Sequence, residues 1–264
     1  MQIIKSRACI SVLRMAMFSV LAMAGLIVAP AAQAQMKPAQ RSEIEAIIKD
    51  YLLNNPDVLR DALVEMEKRG KAEEASQRQK AVADLSPKLF DSIHQVVLGN
   101  PKGKIQLVEF FDYNCGYCKK AMTDMMAILE KNSDVKVVLK EFPVLGPSSV
   151  EAAQVASALR QQFDGEKYLA FHQRLLQARG QVGKVQAMAA AKASGADMDK
   201  LEAALKSPAV SAGLQEVMQI ADTLSLTGTP SYIVGDEVVI GAVGLPNLQA
   251  KIDNLRKCGK TACG

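Results

Sequence analysis

The chain is 264 residues long, 49% of them apolar and 23% charged, with 32 Lys and Arg against 28 Asp and Glu for a net charge of +4. That apolar content suffices for an ordinary core. Neither a basic stripe nor a P-loop glycine pattern appears along the chain, and no nucleic-acid partner is expected.

Residues 1–34 read as an export signal, with Lys5, Arg7 and Arg14 in a basic start, an uncharged apolar run from Met15 to Ala29, and Ala32-Gln33-Ala34 as a small-x-small cleavage site. A permanent membrane anchor is the competing reading, but it needs roughly 20 apolar residues, and Pro30 ends this run too soon. Cleavage after Ala34 removes three positive charges and Cys9, so the net charge falls from +4 to +1. Cys115, Cys118, Cys258 and Cys263 are left in a chain bound for a space where disulfides form. Four cysteines over that length are local devices rather than a framework.

Residues 35–90 are rich in charge and Gln and predict helices. Ser42 with Glu45 reads as a capping box, and Ile44, Ile47, Ile48, Tyr51 and Leu52 share one face. Asn55-Pro56 restarts a helix whose stripe is Val58, Leu59, Ala62, Leu63 and Met66, and the stripe fades after Arg69. Such a face needs a partner, either another copy of the chain or the main domain.

From Ile93 the pattern turns to strands: Ile93 to Leu98, then Ile105 to Asp112, then Val135 to Phe142 after a helix in which Cys118, Met122, Met125 and Leu129 recur at helical spacing. This strand, helix, strand unit predicts parallel pairing. Residues 148–225 read as a helical block containing "SSVEAAQVASALRQQF", "EKYLAFHQRLLQ", "KVQAMAAAKAS" and "SPAVSAGLQEVMQIADTL". Strands return at Ser231 to Val234 and Val238 to Ile240, and a last helix spans Pro246 to Arg256. The fold class is α/β: a small mixed sheet with an inserted helical block, preceded by a helical N-terminal segment.

Cys115 sits where a strand gives way to a helix, so unpaired N–H groups and the positive end of the helix dipole favour its thiolate. Cys118, one turn on, is within disulfide reach. The pair therefore reads as a redox-active disulfide in which Cys115 attacks and Cys118 resolves. Glu109 shares its strand face with Ile105, Leu107 and Phe111. Burial there would raise its pKa and let it pass protons to Cys118; the alternative is a strand glutamate that finds solvent or a lysine.

"LVEFFDYNCGYC" resembles the active-site strand and helix start of the thioredoxin superfamily, and the helical block before "TGTPSYIVG" resembles the DsbA-type branch, over residues 91–257. The resemblance implies a thiol:disulfide oxidoreductase of the periplasm that acts on cysteines of unfolded or misfolded exported proteins, exchanges electrons with a membrane redox partner, and uses no cofactor. It also implies that Thr229-Pro230 faces the cysteines through a cis peptide bond. Gly116-Tyr117 between the cysteines, and the threonine before Pro230, are similar to the isomerase DsbC, which implies isomerase character and a less oxidising disulfide, since Tyr117 supplies no imidazolium. The N-terminal helices resemble those of ScsC-type proteins and imply a homo-oligomer, dimer or trimer.

Two other functions compete. Cys115 and Cys118 thiolates suit copper(I), and an oligomeric apolar cleft suits a holdase-like binding protein. Cys258 and Cys263, in the tail 258–264, read as a small terminal disulfide; their spacing lies at the edge of zinc-site patterns, and with two histidines in the chain, His94 and His172, no structural metal is expected. His172, among Tyr168, Phe171 and Leu175, reads as a packing residue.

Overall fold

The computed structural model describes residues 37–263; the export signal, its cleavage site and Cys9 lie outside them. The chain divides into two compact units, one ending at Val64 and the other beginning at Glu65.

Helix α1 (Pro38–Asn54) lies in the first unit, where α2 (Pro56–Asp84) also begins. Proline in the first turn of α1, pre-set to helical φ, starts the helix earlier than expected. Ser42 therefore falls inside the helix, and the cap is formed instead by Gln40 Oε1, which accepts from the Lys37 N–H at 3.2 Å. Asn55 ends α1: its backbone and side-chain N–H groups both donate to the Tyr51 carbonyl, at 2.9 and 2.8 Å. α1 buries no residue, and Ile47, Ile48, Tyr51, Leu59 and Leu63 are all at least half exposed.

In the second unit the polar stretch of α2 is laced by Arg69–Glu65, Lys71–Glu67 and Arg78–Glu74 pairs one turn apart. These favour the helix after its apolar stripe has faded. The core of this unit begins earlier than residue 90, because Val82 of α2 and Leu89 and Phe90 of α3 (Ser86–Phe90) are buried against Val108, Phe110 and Val217.

The sheet is built from β1 (Val96–Gly99), β2 (Ile105–Phe111), β3 (Val135–Glu141), β4 (Ser231–Val234) and β5 (Glu237–Ile240), in the order β1-β3-β2-β4-β5. β2 and β3 run parallel, as expected, joined through α4 (Gly116–Lys131), and all other pairs are antiparallel. β1 starts later than expected, since the Ser92 hydroxyl draws the His94 N–H into a turn at 3.0 Å and leaves Ile93 outside the ladder. Five helices fill the insertion: α5 (Pro147–Leu159), α6 (Gly165–Leu176), α7 (Lys184–Ala193), α8 (Met198–Leu205) and α9 (Pro208–Thr223). α8, capped by Asp197 accepting from the Lys200 N–H, was not foreseen as a separate helix. α10 (Leu245–Cys258) closes the chain.

Strand alternation sorts the core into two faces. Leu107, Phe111, Val137, Leu139 and Tyr232 pack with α4, α10 and helices α5 to α8, while Val108, Phe110, Val138 and Ile233 pack with α3 and α9. β3 is buried along its whole length despite two lysines. Lys136 Nζ donates to the Phe90 carbonyl at 2.7 Å and Lys140 Nζ to the Lys88 carbonyl at 2.6 Å, so both satisfy the end of α3. Burial pulls the Lys140 ammonium down to about 8.

Candidate active site

β2 delivers the chain to the C-terminal edge of the sheet, and Cys115 becomes the N-cap of α4. Its sulfur takes the place that a serine or aspartate oxygen usually holds: Cys115 Sγ accepts from the Cys118 N–H at 3.4 Å. On its other side the Cys115 thiol lies 3.2 Å from the carbonyl oxygen of Thr229. The Thr229–Pro230 peptide bond is cis. A negative sulfur at this point meets an orphan N–H and the positive end of a 16-residue helix.

Cys115 and Cys118 are both free and both buried. Burial raises the Cys118 thiol well above its ordinary value, and the nearby Glu109 carboxylate adds to that. The two sulfurs are therefore inequivalent: one caps a helix, the other is kept protonated. Between them Gly116 opens the helix and Tyr117 stands 69% exposed beside the site.

Glu109 is 3% exposed, on the sheet face that carries α4. Burial pushes its carboxyl up to about 8, helped by the negative charge of Asp124. β4 sets Tyr232 opposite Glu109, and burial, then Glu109, raises that phenol too. Glu109 and Tyr232 thus face one another across β2 and β4, and Tyr232 packs in the same buried cluster as Cys118. Tyr232 was missed in the sequence; its signal is that β4, which follows Pro230, must pair with β2 and set one residue across from Glu109.

His172 lies outside this group. Its ring packs edge-on to Phe111 at 4.6 Å, its Nδ1 meets the Tyr113 hydroxyl at 3.2 Å, and burial holds it down to about 3, so it is neutral. Cys258 and Cys263 are joined by a 2.08 Å S–S bond that closes the end of α10.

A dithiol on the first turn of a helix, fed by the central strand of a mixed sheet and faced by an X-Pro carbonyl, defines a thiol–disulfide oxidoreductase of thioredoxin fold. The DSBA-like thioredoxin domain family matches residues 106–253, and the N-terminal domain of the copper resistance protein ScsC matches residues 40–73. The chain belongs to the DSBA-like thioredoxin family. It is 38% identical to a thioredoxin-like oxidoreductase from Silicibacter pomeroyi, whose crystal structure superposes with a TM-score of 0.61 over 65% of this chain and 98% of that one. Proteus mirabilis ScsC in a transitional conformation is similar over 85% of this chain and 99% of its own, with 31% identity and a TM-score of 0.62. The thiol:disulfide interchange protein DsbA of Bordetella pertussis shares 27% identity over 160 residues, 58% of this chain and 74% of that protein.

Proposed function

We propose that the protein is an exported, periplasmic disulfide isomerase that works as a homo-oligomer, with Cys115 as the attacking sulfur and Cys118 as a slow resolving thiol. The observation that carries this reading is the inequivalence of the two cysteines. Cys115 is a helix N-cap with an N–H and a helix dipole to hold its thiolate, whereas burial keeps the proton on Cys118.

The exchange follows. The Cys115 thiolate attacks one sulfur of a client disulfide, forming the Cys115–client mixed disulfide and releasing the other client sulfur as a thiolate. In isomerisation a client thiolate then attacks the client sulfur of that mixed disulfide, a new client disulfide forms, and Cys115 leaves as thiolate with no net electron transfer. If Cys118 first loses its proton, it attacks Cys115 instead. The client then departs reduced by two electrons, and the Cys115–Cys118 disulfide awaits a reductant. A protonated Cys118 lengthens the life of the mixed disulfide, which favours rearrangement over release. In this reading Glu109, raised to about 8, takes up the Cys118 proton once its own has left, and the Thr229 carbonyl faces the client strand beside Cys115.

The exposed stripe on α1 and α2 supports self-association, since two or more sites around one client raise the effective concentration of the second attack. Refolding of a scrambled-disulfide substrate tests the function. The wild type should restore native pairing under a glutathione buffer and Cys115→Ala should not; equal rates for the two would end the proposal, and so would oxidation of reduced substrate without rearrangement of a scrambled one.

A further inference from the structure

The turn that carries Cys115 is fastened from outside the sheet. Asp112, three residues before the cysteine and 2% exposed, takes four donors on its carboxylate. Oδ1 accepts from the Asn114 N–H at 2.8 Å and from the Ser149 hydroxyl at 2.7 Å, and Oδ2 accepts from the N–H groups of Val144 and Leu145 at 2.9 and 3.0 Å. Its backbone carbonyl accepts the Cys115 N–H at 3.1 Å. Asn114, immediately before the cysteine, donates through Nδ2 to the Ser149 hydroxyl at 2.9 Å and to the Val182 carbonyl at 2.8 Å, and its Oδ1 accepts the Val182 N–H at 2.7 Å. The amide thus reads a backbone as a neighbouring strand would.

Every external partner in this set belongs to the inserted block or its entry loop: Val144 and Leu145 precede α5, Ser149 is in its first turn, and Val182 joins α6 to α7. The insertion brings no cysteine of its own. Asp112 and Ser149 are buried, and hydrogen bonds to a buried carboxylate are strong and directional, so loosening this set is costly. A displacement of the turn by a fraction of an ångström would also move the Cys115 sulfur off both the Cys118 N–H and the Thr229 carbonyl.

We propose that Asp112 and Asn114 are positioning residues through which the inserted helices hold the Cys115 sulfur in its attacking geometry. The inference rests on the dithiol reading of the site and is independent of isomerase character. Asp112→Asn keeps the shape but puts an NH2 group where one oxygen accepted; Asn114→Ala removes the bridge to Val182.

The test uses the full chain in a Cys118→Ala background and follows alkylation of Cys115 by iodoacetamide from pH 4 to 9. Asp112→Asn and Asn114→Ala should each slow the plateau rate on the order of tenfold or shift the midpoint of the pH profile upward. Leu201→Ala, a core truncation in α8, controls for lost stability and should leave the profile unchanged. Profiles of both variants that superimpose on the parent, even with lowered urea midpoints, would show a merely structural clamp and overturn the proposal. If Asp112→Asn does not fold, Asn114→Ala decides alone. Alkylation reads Cys115 by itself, so a failure of the parent protein to exchange with glutathione would sink the dithiol function while the profile still decides the clamp.

Discussion

The Cys115 thiol and the Thr229 carbonyl oxygen stand 3.2 Å apart although 114 residues separate them in the chain. The contact exists because β4 pairs antiparallel with β2 and so returns the segment ending at Pro230 to the edge where β2 hands over to α4. Under the proposed function, a client strand laid along Thr229 would reach Cys115 before Cys118, which is the more buried of the two and one helical turn further on.

This asymmetry predicts which cysteine keeps hold of clients. Cys118→Ala should accumulate mixed disulfides with exported proteins, visible as high-mass bands on non-reducing gels that collapse on reduction. Cys115→Ala should accumulate none. The opposite pattern would reverse the roles of the two thiols.

Glu109 makes stability depend on pH with a definite sign. Its carboxyl is pushed up to about 8 in the fold from an ordinary 4.5. Between those values the folded protein holds a proton that the unfolded chain has lost, so stability falls as pH rises through the window and levels off above it, by roughly 3 to 5 kcal/mol in all. Glu109→Gln has nothing to titrate. Its urea midpoint should match the wild type near pH 4.5 and exceed it clearly at pH 8.5, while the resolving step by Cys118 slows and loses its pH dependence between 6 and 9. Parallel stability curves for the two proteins would place the charge of Glu109 in solvent.

His172 works in the other direction. Burial holds its pKa down to about 3 against an ordinary 6.5, so stability is complete above 6.5 and is lost as pH falls toward 3, at about 1.4 kcal/mol per unit. Between 4.5 and 6.5 this slope opposes that of Glu109, and the wild type should be nearly flat there. The direct check is NMR: the His172 ring should keep its neutral shifts from pH 8 to 4. A midpoint near 6.5 would mean that the ring reaches water.

What was legible in the sequence had a local cause. The apolar run into Cys115, the helical spacing of Cys118, Met122 and Met125, and the glycine and proline breaks of the insertion all act within one element. The misses had distant causes. Lys136 and Lys140 look like solvated charges within β3, yet they are buried, because the carbonyls they satisfy lie on α3. The polar second half of α2 gives no hint that Val82 belongs to the core, which therefore reaches back past the boundary drawn at residue 90. Asp112 and Asn114 resemble ordinary turn residues until Ser149 and Val182 arrive from the insertion. Tyr232 gains its meaning from register alone.

That shift of boundary changes how the N-terminal segment must be tested. Removing residues up to 90 would strip Val82, Leu89 and Phe90 from Val108 and Phe110 and damage the domain itself. Removing residues 37–64 takes away α1 and the exposed Ile47, Ile48, Tyr51, Leu59 and Leu63 while leaving that core intact. A monomer can hand over a disulfide and leave, but rearrangement requires staying with a client while a second bond forms. The shortened chain should therefore keep dithiol exchange with glutathione, lose most of its rearrangement of scrambled substrate, and become easier for an oxidising partner to reach. Full-length Ile48→Lys with Leu59→Lys, which places charge in the same stripe, should do the same without any deletion. Light scattering after size-exclusion chromatography reads the first step: the full chain should elute as a dimer or trimer and both variants as monomers. A full-length protein already monomeric at micromolar concentration would remove self-association from the mechanism, and the stripe would then have to be covered by something other than a second copy.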